Sequence, residues 1–236
     1  MTNSTDAPDA AAATVSVRGE ATVEADPEIV VFAVSVNARA RDRREALGNL
    51  SRRNEEFGVL VKSFGQAIEK IETSGVSVYP ELRRGREEKV RWYRGTVRSR
   101  LTVTDFAVVG ELVGRISDME LCVIDGPWWQ LRADSPAYRE ARVTAARAAV
   151  TRAAEYAEAV GGRLTGLVEL ADTGTGGGGG GGGGRGRLRF AAARVAGVGG
   201  GPDEAPAVID LEPETQVVEA SVEARFTMTQ PASLES

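Results

Sequence analysis

The stretch EIVVFAVSVNARARDRREALGNL, residues 28–50, changes its period part-way along. Up to Ala38 it alternates: Val30, Phe32, Val34 and Val36 fall on one side, Ser35 and Asn37 on the other, as in a half-buried strand. From Asp42 the apolar residues recur at helical intervals instead. Ala46, Leu47, Leu50, Phe57, Leu60, Val61, Phe64, Ala67 and Ile68 make one stripe. Asn54 interrupts that stripe and Gly58 and Gly65 weaken it, so a bend or early end is expected. Strand followed directly by amphipathic helix is the unit from which the rest of the chain is read.

Working outward, Val15 and Val17 alternate with Ser16 and Arg18 as a first strand, punctuated by Gly19 and by Asp26-Pro27. Beyond the helix, Val76 and Val78 open a strand that stops near Pro80. A charged turn, Arg83 to Lys89, leads into a long returning strand over 90–104, so 81–100 reads as a hairpin with a polar tip. Asp105 is placed to cap a second helix carrying Phe106, Val109, Leu112, Val113 and Ile116. A short apolar run, Leu121 to Ile124, precedes Gly126-Pro127 and the paired Trp128 and Trp129. Ser135-Pro136 opens an alanine-rich helix that ends at Gly161-Gly162. Leu164 to Ala171 reads as a strand. The last one, 216–229, puts Val218, Ala220, Val222, Ala224, Phe226 and Met228 on one face.

Helices interleave with strands, but the hairpins argue for antiparallel pairing. The fold class expected is α+β, a largely antiparallel sheet with about three helices packed on it, rather than a doubly wound nucleotide fold. The alternating stretches near both ends, with Phe32 and Phe226, are expected to join one common sheet. Residues 1–13 read as a disordered tail, 14–230 as the folded domain, 172–213 as a flexible glycine-rich insertion containing Gly176 to Gly184, and 231–236 as a frayed end.

Composition narrows the chemistry. The 236 residues contain no histidine, which removes the usual general base near neutral pH and the commonest zinc ligand. The single cysteine, Cys122, excludes an intramolecular disulfide. A net charge of −5 exerts no global pull on nucleic acid. No apolar stretch is long enough to span a bilayer. The opening MTNSTDAPDAAAAT lacks the basic and apolar regions of a secretory signal, so a cytoplasmic location is expected. No enzyme activity, metal or cofactor is expected.

Particular words in this order resemble the SIMPL-domain family, a domain of unknown function that includes bacterial periplasmic immunogenic proteins. The opening VSVRGEATVEADPEIVVFAVSVNARARDRREAL is similar to its start, and YRGTVRSRLTVTD (93–105) to its internal strand. AYREARVTAARAAVTRAAEYAEAVGGRLTGLVEL and EPETQVVEASVEARFTM are similar to its alanine-rich helix with following strand and to its closing strand. The resemblance covers roughly residues 14–230. It implies a SIMPL-like fold without known catalysis, with links to oxidative-stress tolerance, antigenicity and, in an animal member, kinase-pathway signalling. It also implies a tendency to form ring- or channel-like homo-oligomers, and members are often exported. The polyglycine tract and Gly126-Pro127-Trp128-Trp129 depart from the family pattern.

Four features are candidates for function. The hairpin holds Arg83, Arg84, Arg86, Lys89, Arg91, Arg94, Arg98 and Arg100 against Glu81, Glu87 and Glu88, a local charge of +5 beside Trp92 and Tyr93. That patch could bind phosphates while its aromatics stack on bases, but the reading preferred is a solvated hairpin whose cations meet acids of a neighbouring subunit, and nucleic acid is not the expected partner. Trp128 and Trp129 point to opposite faces of a strand, so one enters the core and the other serves a subunit contact. Trp92, Tyr93, Trp128 and Trp129 are therefore the candidate interface. Cys122, in an apolar run, reads as packing rather than as a redox sensor. The glycine run lacks the Gly-Lys-Ser/Thr of a phosphate loop and reads as a linker. The function expected is a homo-oligomeric scaffold. The alternative is a nucleic-acid or acidic-partner binding module that uses hairpin 81–100.

Overall fold

A computed structural model describes residues 13–82, 90–177 and 209–230. In chain order the elements are β1 (Ala13–Ala25), β2 (Ile29–Ala40), α1 (Arg43–Lys62), β3 (Ile68–Leu82), β4 (Val90–Val103), α2 (Val109–Ser117), β5 (Cys122–Gln130), α3 (Pro136–Ala159), β6 (Leu164–Gly177) and β7 (Gln216–Met228). The fold is α+β and its strand pairings are all antiparallel. The strands form two sheets, ordered β1-β7-β6 and β3-β4-β2-β5. This corrects the expectation of one common sheet: Phe32 lies in the four-stranded sheet and Phe226 in the three-stranded one. Alternation fixes which face of a strand is buried but not which strand lies beside it. The chain divides accordingly into two compact units, described residues 26–132 with 209–214, and 13–25 with 133–177 and 215–230.

In the first unit, Val30, Phe32, Val34 and Val36 are all buried as the alternation requires, against Leu50, Phe57 and Val61 of α1 and Leu112 and Ile116 of α2. Asp42 starts α1, its Oδ1 accepting from the Arg44 and Glu45 amides at 2.8 and 3.1 Å. Those backbone hydrogen bonds hold its carboxyl below the usual aspartate range. The helix ends at Lys62, before the stripe runs out at Ile68: the early end comes where Gly65 turns to φ 57°, a left-handed conformation that breaks the ladder. Strand β3 then starts at Ile68 rather than near Val76. Asp105 does cap, though first a short turn at Phe106–Val108 that runs into α2.

Strand β5 pairs with β2 through a bulge. Val31 faces Trp128 and Ala33 faces Asp125, leaving Gly126 and Pro127 as the excess over Phe32. Gly126 sits at φ 126° with its α-carbon so close to Phe32 that a β-carbon would lie 2.8 Å from the ring. Trp129 then enters the core, edge-on to Phe106 at 4.9 Å, while Trp128 faces outward.

In the second unit, α3 presents Ala137, Ala141, Ala145, Ala149, Ala153 and Ala157 at every fourth position, all buried on the sheet. Methyl-sized side chains let helix and sheet backbones approach closely. β1 runs unbroken through Gly19, which does not end the strand as expected but makes room for α3. β6 continues through Asp172 to Gly177, paired with β7 to Val218, so the proposed insertion begins later than residue 172. The remainder of the glycine run, both tails at 1–12 and 231–236, and the hairpin tip at 83–89 lie outside the described residues.

Candidate functional site

Among the described residues, the hairpin cations do not all share one face. Arg83, Arg84, Arg86 and Lys89 lie outside the described residues. Alternation along β4 puts Arg94, Arg98 and Arg100 on the face opposite α1, and Arg91 on the other. Arg98 and Arg100 are exposed, while Arg94 is half-buried.

What surrounds Arg94 comes from three strands. Arg94 stands opposite Arg39 of β2 and Tyr79 of β3, and Trp92 stands opposite Glu81. Glu81 takes the Arg94 Nε on Oε1 at 2.5 Å and a terminal nitrogen of Arg39 on Oε2 at 2.6 Å. Burial pushes the Glu81 carboxyl up, but Arg94 and Arg39 together outweigh it and hold its pKa below the ordinary range. The guanidinium carbons of Arg39 and Arg41 lie 5.1 and 5.5 Å from the Trp92 ring centroid, within cation–π range. Three arginines and one tryptophan thus gather round a single carboxylate.

The four candidate interface aromatics separate. Trp129 is 7% exposed and belongs to the core, so it cannot serve a subunit contact. Trp128, 37% exposed, remains available on the outer face. Trp92 is half-buried beneath its arginines, and Tyr93 is half-buried on the opposite face of β4. Cys122 is half-buried against the core. Burial raises its thiol pKa, with Arg53 opposing and Glu56 reinforcing that shift, which disfavours the thiolate a redox sensor requires.

The family whose model matches the chain is SIMPL, described as a protein of unknown function (DUF541), and the match spans residues 15–226. That covers most of both units. The chain belongs to the SIMPL family. No curated protein matches it.

The other described surfaces of this SIMPL chain mix charged faces with exposed apolar side chains, Val76, Leu167 and Leu170 among them. On the three-stranded sheet, the face away from α3 carries Glu20, Glu219 and Glu223 with Arg18 and Arg225, as the alternation predicts. A shallow groove of about 330 Å³ there is lined by Ser16, Arg18, Glu169, Ala171, Glu223 and Arg225. Arg225 pairs with Glu169 at 3.3 Å across it. Among the described residues, no three Cys, Asp or Glu side chains come together to hold a metal, and no helix is long and apolar enough to cross a membrane.

Arg39 and Arg41 of the SIMPL chain are the residues that sequence reasoning missed. Their signal is present in ARAR, residues 38–41, where small and cationic residues alternate at a strand end. Pairing that end with β4 is what makes them neighbours of Trp92.

Proposed function

We propose that this SIMPL protein is a non-catalytic scaffold that assembles with copies of itself. One observation carries the reading. Among the described residues, in each sheet the helices cover the inner strands and leave an edge strand with exposed apolar side chains on the same face. On β6, Leu167 and Leu170 stand opposite the buried Phe226 and Ala224, yet are 56% and 51% exposed. On β3, Val76 stands opposite buried Val97 and is 64% exposed. Long strands with an unpaired edge and uncovered apolar residues are templates for another chain. Covering the part of each such side chain that is still exposed is worth about 1–2 kcal/mol, and Trp128 adds a further exposed aromatic. The rival reading, a nucleic-acid or acidic-partner binding module that uses hairpin 81–100, draws on described cations of which Arg94, Arg98 and Arg100 share one face of β4 and Arg91 takes the other.

Size-exclusion chromatography with light scattering tests the scaffold. The expected mass is a multiple of the 24.9 kDa chain, falling to that of one chain in the Leu167→Lys, Leu170→Lys variant or in Val76→Lys. A wild-type protein that stays monomeric from micromolar to submillimolar concentration sinks the reading.

A further inference from the structure

We infer that the outer face of β4 binds a linear phosphate chain, anchored where Arg39, Arg41 and Arg94 meet Trp92. The site is distinct from the edge strands of the scaffold reading and stands without it.

Among the described residues, the anchor concentrates more positive charge than its one carboxylate neutralises. Arg39 and Arg94 share the one carboxylate of Glu81, each through a single ion-pairing nitrogen. Arg41 is exposed, and among the described residues it lies against the Trp92 ring. Three guanidiniums against one carboxylate leave two surplus charges. A guanidinium carries five N–H donors, so most of those on Arg39 and Arg94 are not used by Glu81. Held over an aromatic face, a guanidinium loses little further freedom on binding, and its N–H edge matches two oxygens of one phosphate.

A chain of phosphates fits better than a lone anion because the cations continue. Arg98 and Arg100 follow Arg94 on the same face of β4, both exposed. At about 3.3 Å per residue they extend the positive row roughly 20 Å from the anchor. Arg98 stands opposite Ser35 and Arg100 opposite Ala33, short side chains that leave the row open on the β2 side. On the β3 side Glu72 faces Arg100 but is itself paired with Lys70 at 2.7 Å. The chain's net charge of −5 would otherwise repel a polyanion, so binding here has to be local.

The same chemistry is offered by inorganic polyphosphate and by the backbone of single-stranded nucleic acid. Anisotropy titrations of the full-length protein with a labelled oligonucleotide and with labelled polyphosphate of equal charge, at two salt concentrations, separate these sources. Whichever binds more tightly names the source, and saturable binding of either supports the site. The Arg39→Ala, Arg41→Ala variant is expected to weaken binding at least tenfold. Arg98→Ala, Arg100→Ala should weaken it several-fold and lower the salt slope for the oligonucleotide by about 1.4. Arg142→Ala, Arg147→Ala, the same charge change on α3, should leave binding unchanged. Glu81→Gln should tighten it, since it removes the one anion that the described residues bring to the anchor. Quenching of tryptophan fluorescence on binding should disappear in Trp92→Phe. Absence of saturable binding to both ligands, or equal losses in the anchor and α3 variants, overturns the inference.

Discussion

A methyl group on Gly19 would lie 2.1 Å from the Ala145 carbonyl oxygen and 2.6 Å from the Ala149 nitrogen, both backbone atoms of α3. No rotamer change relieves such a contact, because the atoms it meets are not side chain. Either β1 moves away from the helix, uncovering the alanine stripe, or the helix shifts off Val222 and Phe226. Gly48 offers the opposite case on α1, where an added β-carbon meets nothing within 4 Å. There the substitution only removes the extra freedom glycine has when unfolded. Gly19→Ala is therefore expected to cost about 3 kcal/mol or more, at the upper end of overpacking effects. Gly48→Ala should add about 0.5–1 kcal/mol. Urea denaturation of the two variants beside wild type reads both signs, and equal responses would mean that α3 does not press on β1 as described.

At the scale of elements, Glu81 ties three strands together, since it lies on β3, Arg94 on β4 and Arg39 on β2. Its carboxyl is held below the ordinary value of 4.5, so folding favours its ionised form. The stability from that preference is complete above the unfolded value and disappears as pH falls through the lower folded value. Because both arginines are substantially exposed, the whole triad contributes on the order of 1 kcal/mol after solvent screening. Glu81→Gln should thus lower the urea midpoint at neutral pH and converge with wild type in acid. An equal difference at both ends of the pH range would remove the ion pairs as its cause. Such a tie is not legible in sequence, whereas the elements it joins largely are. Alternation placed β7 within a residue of its observed end, and Ser135-Pro136 located the start of α3, because both signals are local. Gly19 reads as punctuation in sequence because glycine marks a turn and a close approach alike. Ile68 fits the helical stripe by its interval, yet an apolar residue there also suits the first position of a strand. The cluster at Trp92 was half-visible: the hairpin's cations stood out as charge, but Arg39 and Arg41 joined them only through the register of β2 on β4.

Across the whole molecule, the two units differ in how far along the chain their partners lie. The four-stranded sheet is assembled from a nearly continuous segment, β2 to β5, with β2 and β4 separated by one helix and one strand. The three-stranded sheet has β7 at its centre, and β7 pairs with β1 from the opposite end of the described chain, the nearest partners being Ala25 and Gln216. Among the described residues, neither β1 nor β6 has a strand beside it other than β7, so without β7 the alanine face of α3 loses the sheet on which it packs. Loop-closure entropy grows with the logarithm of the intervening length. If no intervening structure shortens the loop, closing β1 on β7 costs about 1 kcal/mol more than closing β2 on β4. Contacts so distant in sequence slow folding as well. Pulse-labelled hydrogen exchange during refolding should therefore show the amides of β2 and β4 protected before those of β1 and β7. If β1 and β7 gained protection first, the ends of the chain would have to be brought together by something other than the folding of the segment between them.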